Sequence, residues 1–182
     1  MSNFFKTIRI HILIIVLISL SLKIGVGYFL GNKFTPVTWE YEQLAQKMLT
    51  EGRYEMEYRE YGAYRALLAP GYSFLCCGVY KIFGTNHKIM LALQFLLMTG
   101  FSLVIYFLAK YLFGDLNIAF IAGLLSALHP GLTYYSAVYL HKITLYMPLF
   151  YLSILLFCLC FNASKLTLFI ALGICSGLAV LT

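Results

Sequence analysis

The chain has 182 residues, 62% of them hydrophobic and 11% charged, with a mean hydropathy of +0.85. Ordinary soluble domains carry about 25% charged residues, so a soluble fold is excluded and most of the surface must face lipid. The net charge of +6 comes from 13 Lys and Arg scattered along the chain without a basic stripe, which argues against nucleic-acid binding.

At about 20 apolar residues per crossing, a chain of this length with one long loop has room for about five spans. The first predicted span covers residues 8–30 and is interrupted only by His11 and Lys23. It is too long for a signal-peptide core and lacks a small-x-small cleavage site, so it reads as a retained helix. Lys6 and Arg9 before it place the N-terminus in the cytoplasm by the positive-inside rule, and Lys23 lies near enough to the far end to snorkel.

Residues 31–87 form an external loop of a different kind. Six of the seven acids fall here, Glu40, Glu42, Glu51, Glu55, Glu57 and Glu60, leaving Asp115 as the remaining one. Pro36 followed by Thr38-Trp-Glu-Tyr-Glu42 reads as a helix start, and Trp39, Leu44, Met48 and Leu49 give an amphipathic face that would lie on the membrane surface until Gly52. The tyrosines at 54, 58, 61 and 64 fit an aromatic belt at the headgroups. From Gly71 to Phe83 the apolar run is too short to cross, which suggests a re-entrant or interfacial helix.

Spans are then expected at residues 88–113, 116–136, 143–161 and 166–182, alternating in direction. Lys110 and Lys165 fall on the cytoplasmic side and the His141-Lys142 step falls outside. In this topology the sequon Asn162-Ala-Ser164 is cytoplasmic or interfacial and carries no glycan. The last run reaches Thr182 without a flanking charge or cap, which reads as a truncated chain.

The chemistry-bearing residues are few. The five Cys have neither disulfide-framework nor zinc spacing and read as buried small hydrophobes. There is no Gly-rich phosphate loop, nucleophile elbow or metal-ligand spacing. A loop carboxylate beside a span and among aromatics is a candidate general base, because partial desolvation raises its pKa. Glu40, directly after Trp39, is the best placed; the plain reading of any such glutamate is a solvated surface charge. Arg65, Lys81, His141 and Lys142 are cations near headgroup depth that either hold a phosphate or anchor a helix end.

Taken together, these segments resemble a known family. Trp39-Glu-Tyr-Glu-x-Leu-Ala45, Met48-Leu-Thr-Glu-Gly52-Arg-Tyr54, Arg65-x4-Pro-Gly-Tyr72 and Tyr80-Lys-Ile-Phe-Gly84 are similar to the first loop of the GT-C membrane glycosyltransferases, in the branch of protein mannosyltransferases and aminoarabinose transferases. Tyr106-Phe-Leu-Ala-Lys-Tyr-Leu-Phe-Gly114, His129-Pro-Gly-Leu-Thr-Tyr-Tyr-Ser136 and Gly177-Leu-Ala-Val-Leu-Thr182 extend the similarity over nearly the whole chain.

The resemblance implies an all-α, polytopic transmembrane bundle, the N-terminal part of a larger GT-C domain with juxtamembrane helices in its first external loop. It implies an enzyme of a prokaryotic plasma membrane that moves a sugar from a polyprenyl-phosphate donor to a lipid, glycan or protein acceptor on the non-cytoplasmic face, with inversion. By position Glu40 would be the first-loop base, with Glu42 as substitute, and Arg65, His141 and Lys142 would meet the donor phosphate. Many members carry an acid in the second external loop, near the position where this chain has His141-Lys142, and none follows Asp115 here. No metal or other cofactor is therefore expected: either the protein works without metal or it has lost activity. The residues alone leave open a non-catalytic membrane scaffold or a transporter fragment, although the spans show no repeat and hold almost none of the ionisable groups that transporters commonly carry, Lys23 and His129 being near ends.

Overall fold

The computed structural model describes residues 2–58, 62–65, 68–163 and 165–182, with side chains for all of these except 2, 3, 57, 58, 63 and 65. Sustained apolar sequence leaves the backbone no water to bond, so it folds into helices that satisfy their own N–H and C=O groups. In chain order the elements are α1 (Ser2–Phe29), α2 (Glu40–Glu51), strands β1 (Glu55–Tyr58) and β2 (Gly62–Arg65), α3 (Pro70–Phe83), α4 (His87–Phe113), α5 (Leu116–Leu128), α6 (Pro130–Val138), α7 (Ile143–Asn162) and α8 (Leu166–Val180). Helices α1, α4 and α7 are long and apolar enough to cross a membrane, and the bent pair α5–α6 makes a fourth if counted as one span. The protein is an integral, multi-pass helical bundle.

Local sequence sets most of the boundaries. Gly52 and Gly114 end α2 and α4 in the left-handed region, at φ 68° and 69°, where glycine has no Cβ to clash. Asp115 opens α5 by accepting from the backbone N–H of Asn117 at 2.6 Å and Ile118 at 3.2 Å, satisfying two of the orphan donors of a helix start. The span expected over 116–136 is not one straight helix. Pro130 has no N–H and cannot continue the hydrogen-bond ladder of α5, and the chain bends by 46° between Leu128 and Pro130.

Three other expectations change. The helix expected to lie on the membrane surface instead buries Tyr41, Glu42, Leu44 and Ala45 and packs on α3, because α3 is too short to cross and offers an apolar partner beside it. The tyrosine-rich stretch contains an antiparallel hairpin in which Glu55 pairs with Arg65 and Met56 with Tyr64; Glu60 and Tyr61 lie outside the described residues. Lys23 does not snorkel. It is 2% exposed, and its Nζ donates to Ser19 Oγ at 2.6 Å, while Ser19 Oγ also meets Thr99 Oγ1 at 3.0 Å. A local oxygen acceptor and its α4 partner hold the ammonium inside the bundle.

Helix α4 is the central post, packed against α1, α5, α6 and α7. One end of the bundle is tied where Lys110 Nζ stands 5.3 Å over the Phe4 ring and Tyr111 Oη donates to the Cys158 carbonyl at 2.8 Å. Near the middle, α5 crosses α1 and α4 at Gly123. A Cβ built there would stand 2.7 Å from Ile15 Cδ1 and 3.1 Å from Tyr106 Cβ, closer than packed atoms allow. Gly123→Val is expected to lower stability by about 1–3 kcal/mol, read as an earlier thermal unfolding transition in detergent, with Gly173→Val as the control because no atom lies within 4 Å of a Cβ there.

Candidate functional site

The opposite end of the bundle carries the loops, and the backbone stitches two of them together. Val37, three residues before α2, donates its N–H to the Val138 carbonyl at 2.8 Å and accepts from the Leu140 N–H at 3.1 Å, forming an isolated parallel bridge with Tyr139. Gln94 of α4, fully buried, secures the seam from below. Its Nε2 donates to the Tyr139 carbonyl at 3.0 Å, and its Oε1 accepts from Tyr72 Oη at 3.1 Å, so one amide joins α3, α4 and the α6–α7 turn.

This seam brings the first-loop residues of α2 to the His141-Lys142 turn. The Trp39 ring lies 5.2 Å from Tyr139 and 5.7 Å from His141 between centroids, and Tyr135 lies 5.8 Å from His141. Glu40 is the first residue of α2, half-buried, at the helix end whose dipole favours a negative side chain. The α2 start that carries Glu40 therefore lies, through Trp39, beside the His141-Lys142 turn. Arg65 is the last residue of β2; its side chain lies outside the described residues.

His141 and Lys142 open α7. The His141 Nδ1 accepts from the Ile143 N–H at 3.2 Å, which in the neutral ring leaves the proton on Nε2 as a donor. Burial and, after it, the neighbouring Lys142 charge hold the His141 pKa below its ordinary value. The lowered pKa favours the neutral His141 ring, an N–H donor beside Lys142. Both line a cavity of about 530 Å³ with Ala69, Tyr146, Val180 and Thr182. Tyr146, Ala179 and Val180 also line a second cavity of about 390 Å³ between α7 and α8, whose other walls include Phe150, Phe157 and Leu172. An apolar trough along the bundle thus leads up to the cationic turn. Its mouth is closed on one side where the Gly71 N–H donates to the Leu181 carbonyl at 2.6 Å.

Glu42 occupies a different environment from Glu40. It is 4% exposed and its Oε1 accepts from Tyr80 Oη at 3.3 Å, from Gln46 Nε2 at 3.2 Å and from the close Nε2 of His87. Burial, reinforced by Glu42, pushes the Tyr80 phenol far above its ordinary range, so that hydroxyl stays a donor. The cluster pins α2 to α3 and to the first residue of α4. Among the described residues no three His, Cys, Asp or Glu side chains come together in a metal-binding group.

A family model described as dolichyl-phosphate-mannose-protein mannosyltransferase matches residues 68–182. The chain belongs to that family. It is accordingly a membrane glycosyltransferase of the GT-C type. The comparison with curated proteins and the comparison with solved structures found no match. In the mannosyltransferase family match, which starts just before α3, His141 and Lys142 lie inside the matched segment and Glu40 and Glu42 before it; the Val37 seam is what joins the two parts in space.

Sequence reasoning missed His87 and Gln94. Nothing marks His87 in the sequence, since a lone His at a helix start has no periodic signal. Gln94 carries one: it is an amide inside an otherwise apolar run, where a polar group needs a partner.

Two outcomes are expected in detergent-solubilised protein. Glu42→Gln and His87→Asn are each destabilising, and the double mutant shows a coupling of about 1–2 kcal/mol by denaturant unfolding. Because the His141 pKa is lowered in the fold, the unfolded chain takes up its proton first. Stability is therefore full above about pH 6.5 and falls as the pH drops toward the folded pKa, a slope that His141→Asn reduces.

Proposed function

We propose that this protein transfers a sugar from a polyprenyl-phosphate donor to an acceptor hydroxyl on the non-cytoplasmic face of the membrane, by a single inverting displacement. The observation that carries the proposal is the continuity between the apolar trough of α7–α8, the Lys142-His141 turn at its head and Glu40 across the aromatic wall. An amphiphile with an isoprenoid tail and a phosphate head has that same division of apolar and anionic parts. The positive dipole end of α7 adds to the Lys142 charge at the head.

In this reading Glu40 accepts the acceptor's hydroxyl proton as the oxygen attacks the anomeric carbon. The bond from that carbon to the phosphate oxygen breaks, and the electron pair leaves on the phosphate. Lys142 and the Nε2–H of His141 stabilise the developing charge, with Arg65 as a further cation from the first loop. Glu42 is the second carboxylate of the loop, and we assign it to hold α2, and hence Glu40, in register through His87 and Tyr80. The orientation rests on Lys6, Arg9 and Lys110, which gather at the end of the bundle away from the loops; the positive-inside rule puts that end in the cytoplasm.

The test uses full-length protein in proteoliposomes, with transfer of radiolabelled sugar from polyprenyl-phosphate donors to an acceptor fraction as the readout. Glu40→Gln is expected to lower kcat by roughly 10²–10⁴-fold, the range of a general base, while donor binding persists. Lys142→Ala is expected to raise the donor KM with a smaller change in kcat, and Lys142→Arg to restore it in large part. An undiminished rate in Glu40→Gln would refute the assignment of the base. No transfer by the wild type with any donor would instead favour a non-catalytic scaffold.

A further inference from the structure

A second amphipathic groove lies on another face of the bundle, between α1 and α4. Its apolar part, about 400 Å³, is lined by Leu20 and Ile24 of α1 and by Leu91, Phe95 and Leu96 of α4. Its polar part, about 440 Å³, is lined by Thr35, Thr85, Asn86 and His87. The two are contiguous, because Phe34 and Lys88 line both. Lys88 is exposed and has no ion-pair partner among the described residues.

The partition between the two halves is held under strain. Asn32, Lys33 and Phe34 follow one another with φ of 45°, 56° and 66°, a left-handed run that side-chain-bearing residues rarely adopt. It folds the chain back so that the Phe34 N–H donates to the Gly27 carbonyl at 3.1 Å. The Phe34 ring then lies against Gly27, where a Cβ would stand 3.1 Å from it. The ring is thus fixed where the apolar trough meets the polar mouth.

Depth identifies the occupant. With 27 residues, α4 is about 40 Å long at 1.5 Å per residue, longer than the roughly 30 Å hydrocarbon layer, so Lys88 in its first turn stands at headgroup depth. The trough runs from there into the hydrocarbon, with Ile24 and Leu96 open to lipid. We infer that the α1–α4 groove is a binding site for an anionic phospholipid of the loop-side leaflet, its phosphate held by Lys88 at the start of α4 and one acyl chain lying along Leu20, Ile24 and Leu96. A free phosphate leaves the trough empty, and a zwitterionic lipid cancels part of the attraction to Lys88. Since His87 lines the same mouth and bonds Glu42, a lipid held there touches the cluster that anchors α2.

The test is photo-crosslinking of the full-length protein in phosphatidylcholine liposomes doped with phosphatidylglycerol carrying an acyl-chain diazirine, with labelled peptides mapped by mass spectrometry. Labelling is expected on the α1 and α4 segments around Ile24 and Leu96, with weaker labelling by the matching phosphatidylcholine probe and no competition from inorganic phosphate. Lys88→Glu is expected to cut the phosphatidylglycerol signal about tenfold, and Ala92→Trp, which fills the trough from its exposed wall, to abolish it. An unchanged thermal unfolding transition in detergent serves as the control for folding in both variants. Equal labelling by both probes that Lys88→Glu leaves unchanged would mean an unselective lipid boundary and overturn the site. Displacement by inorganic phosphate would reassign the mouth to a free anion, and absence of label on α1 and α4 would mean that protein covers the groove; either result also overturns it.

Discussion

Inside a bilayer a broken helix is costly, because the carbonyl and N–H groups freed at the break have no water to turn to. The chain breaks its third long helical segment at Pro130, where the Thr133 hydroxyl donates to the Ala127 carbonyl and the His129 ring accepts from the Leu132 N–H, and ends it at Val138, where two devices take up the freed backbone groups. Val37 crosses from the first loop to pair with Val138 and Leu140, and the Gln94 amide reaches up from α4 to the Tyr139 carbonyl. Everything on the loop side follows from these bonds. Trp39 and Glu40 follow Val37 after Thr38, and His141 and Lys142 follow Leu140, so a ladder of two backbone bonds sets Trp39 against His141.

The different surroundings of the two loop glutamates have the same origin. They are two residues apart at the start of one helix, so they point in different directions around it. Glu42 faces α3 and α4, where Tyr80 and His87 consume its hydrogen-bonding capacity. Glu40 follows Trp39 at the helix start and is half-buried. The family match covers the α3–α8 part of the site, and the stitching at Val37 carries that architecture across to the first loop.

Much of the fold was legible in the sequence because hydropathy and end signals act locally. The long apolar runs became α1, α4 and α7, the short run after Pro70 became the non-crossing α3, and Gly52 and Gly114 stop helices where their φ requires it. The features that escaped depend on partners distant in the chain. Lys23 reads as a snorkelling residue, since nothing in its own neighbourhood announces Thr99, which meets Ser19 from eighty positions away. The surface helix turned out to be docked because α3 lay beside it, and the hairpin at β1–β2 was hidden within a stretch whose tyrosines equally suit an interface. In the site, residue types were readable and adjacency was not: Glu40, His141 and Lys142 were each identifiable as candidates, but no pattern in the chain couples residue 37 to residue 139.

The lysine buried in α1 bears on how the protein is made. Translation delivers α1 to the membrane well before α4, and a lysine within a helix costs insertion about 2.5–3.5 kcal/mol near the bilayer centre and less toward the ends. Ser19, one turn back on the same helix, offers the ammonium its oxygens at once, but Thr99, which meets the Ser19 hydroxyl, is not yet present. Until α4 arrives, the Ser19 hydroxyl lacks its second partner and the first helix lacks the packing that buries Lys23. Biogenesis is in that sense a two-step settlement, in which the arrival of the central helix locks the first one at its final depth.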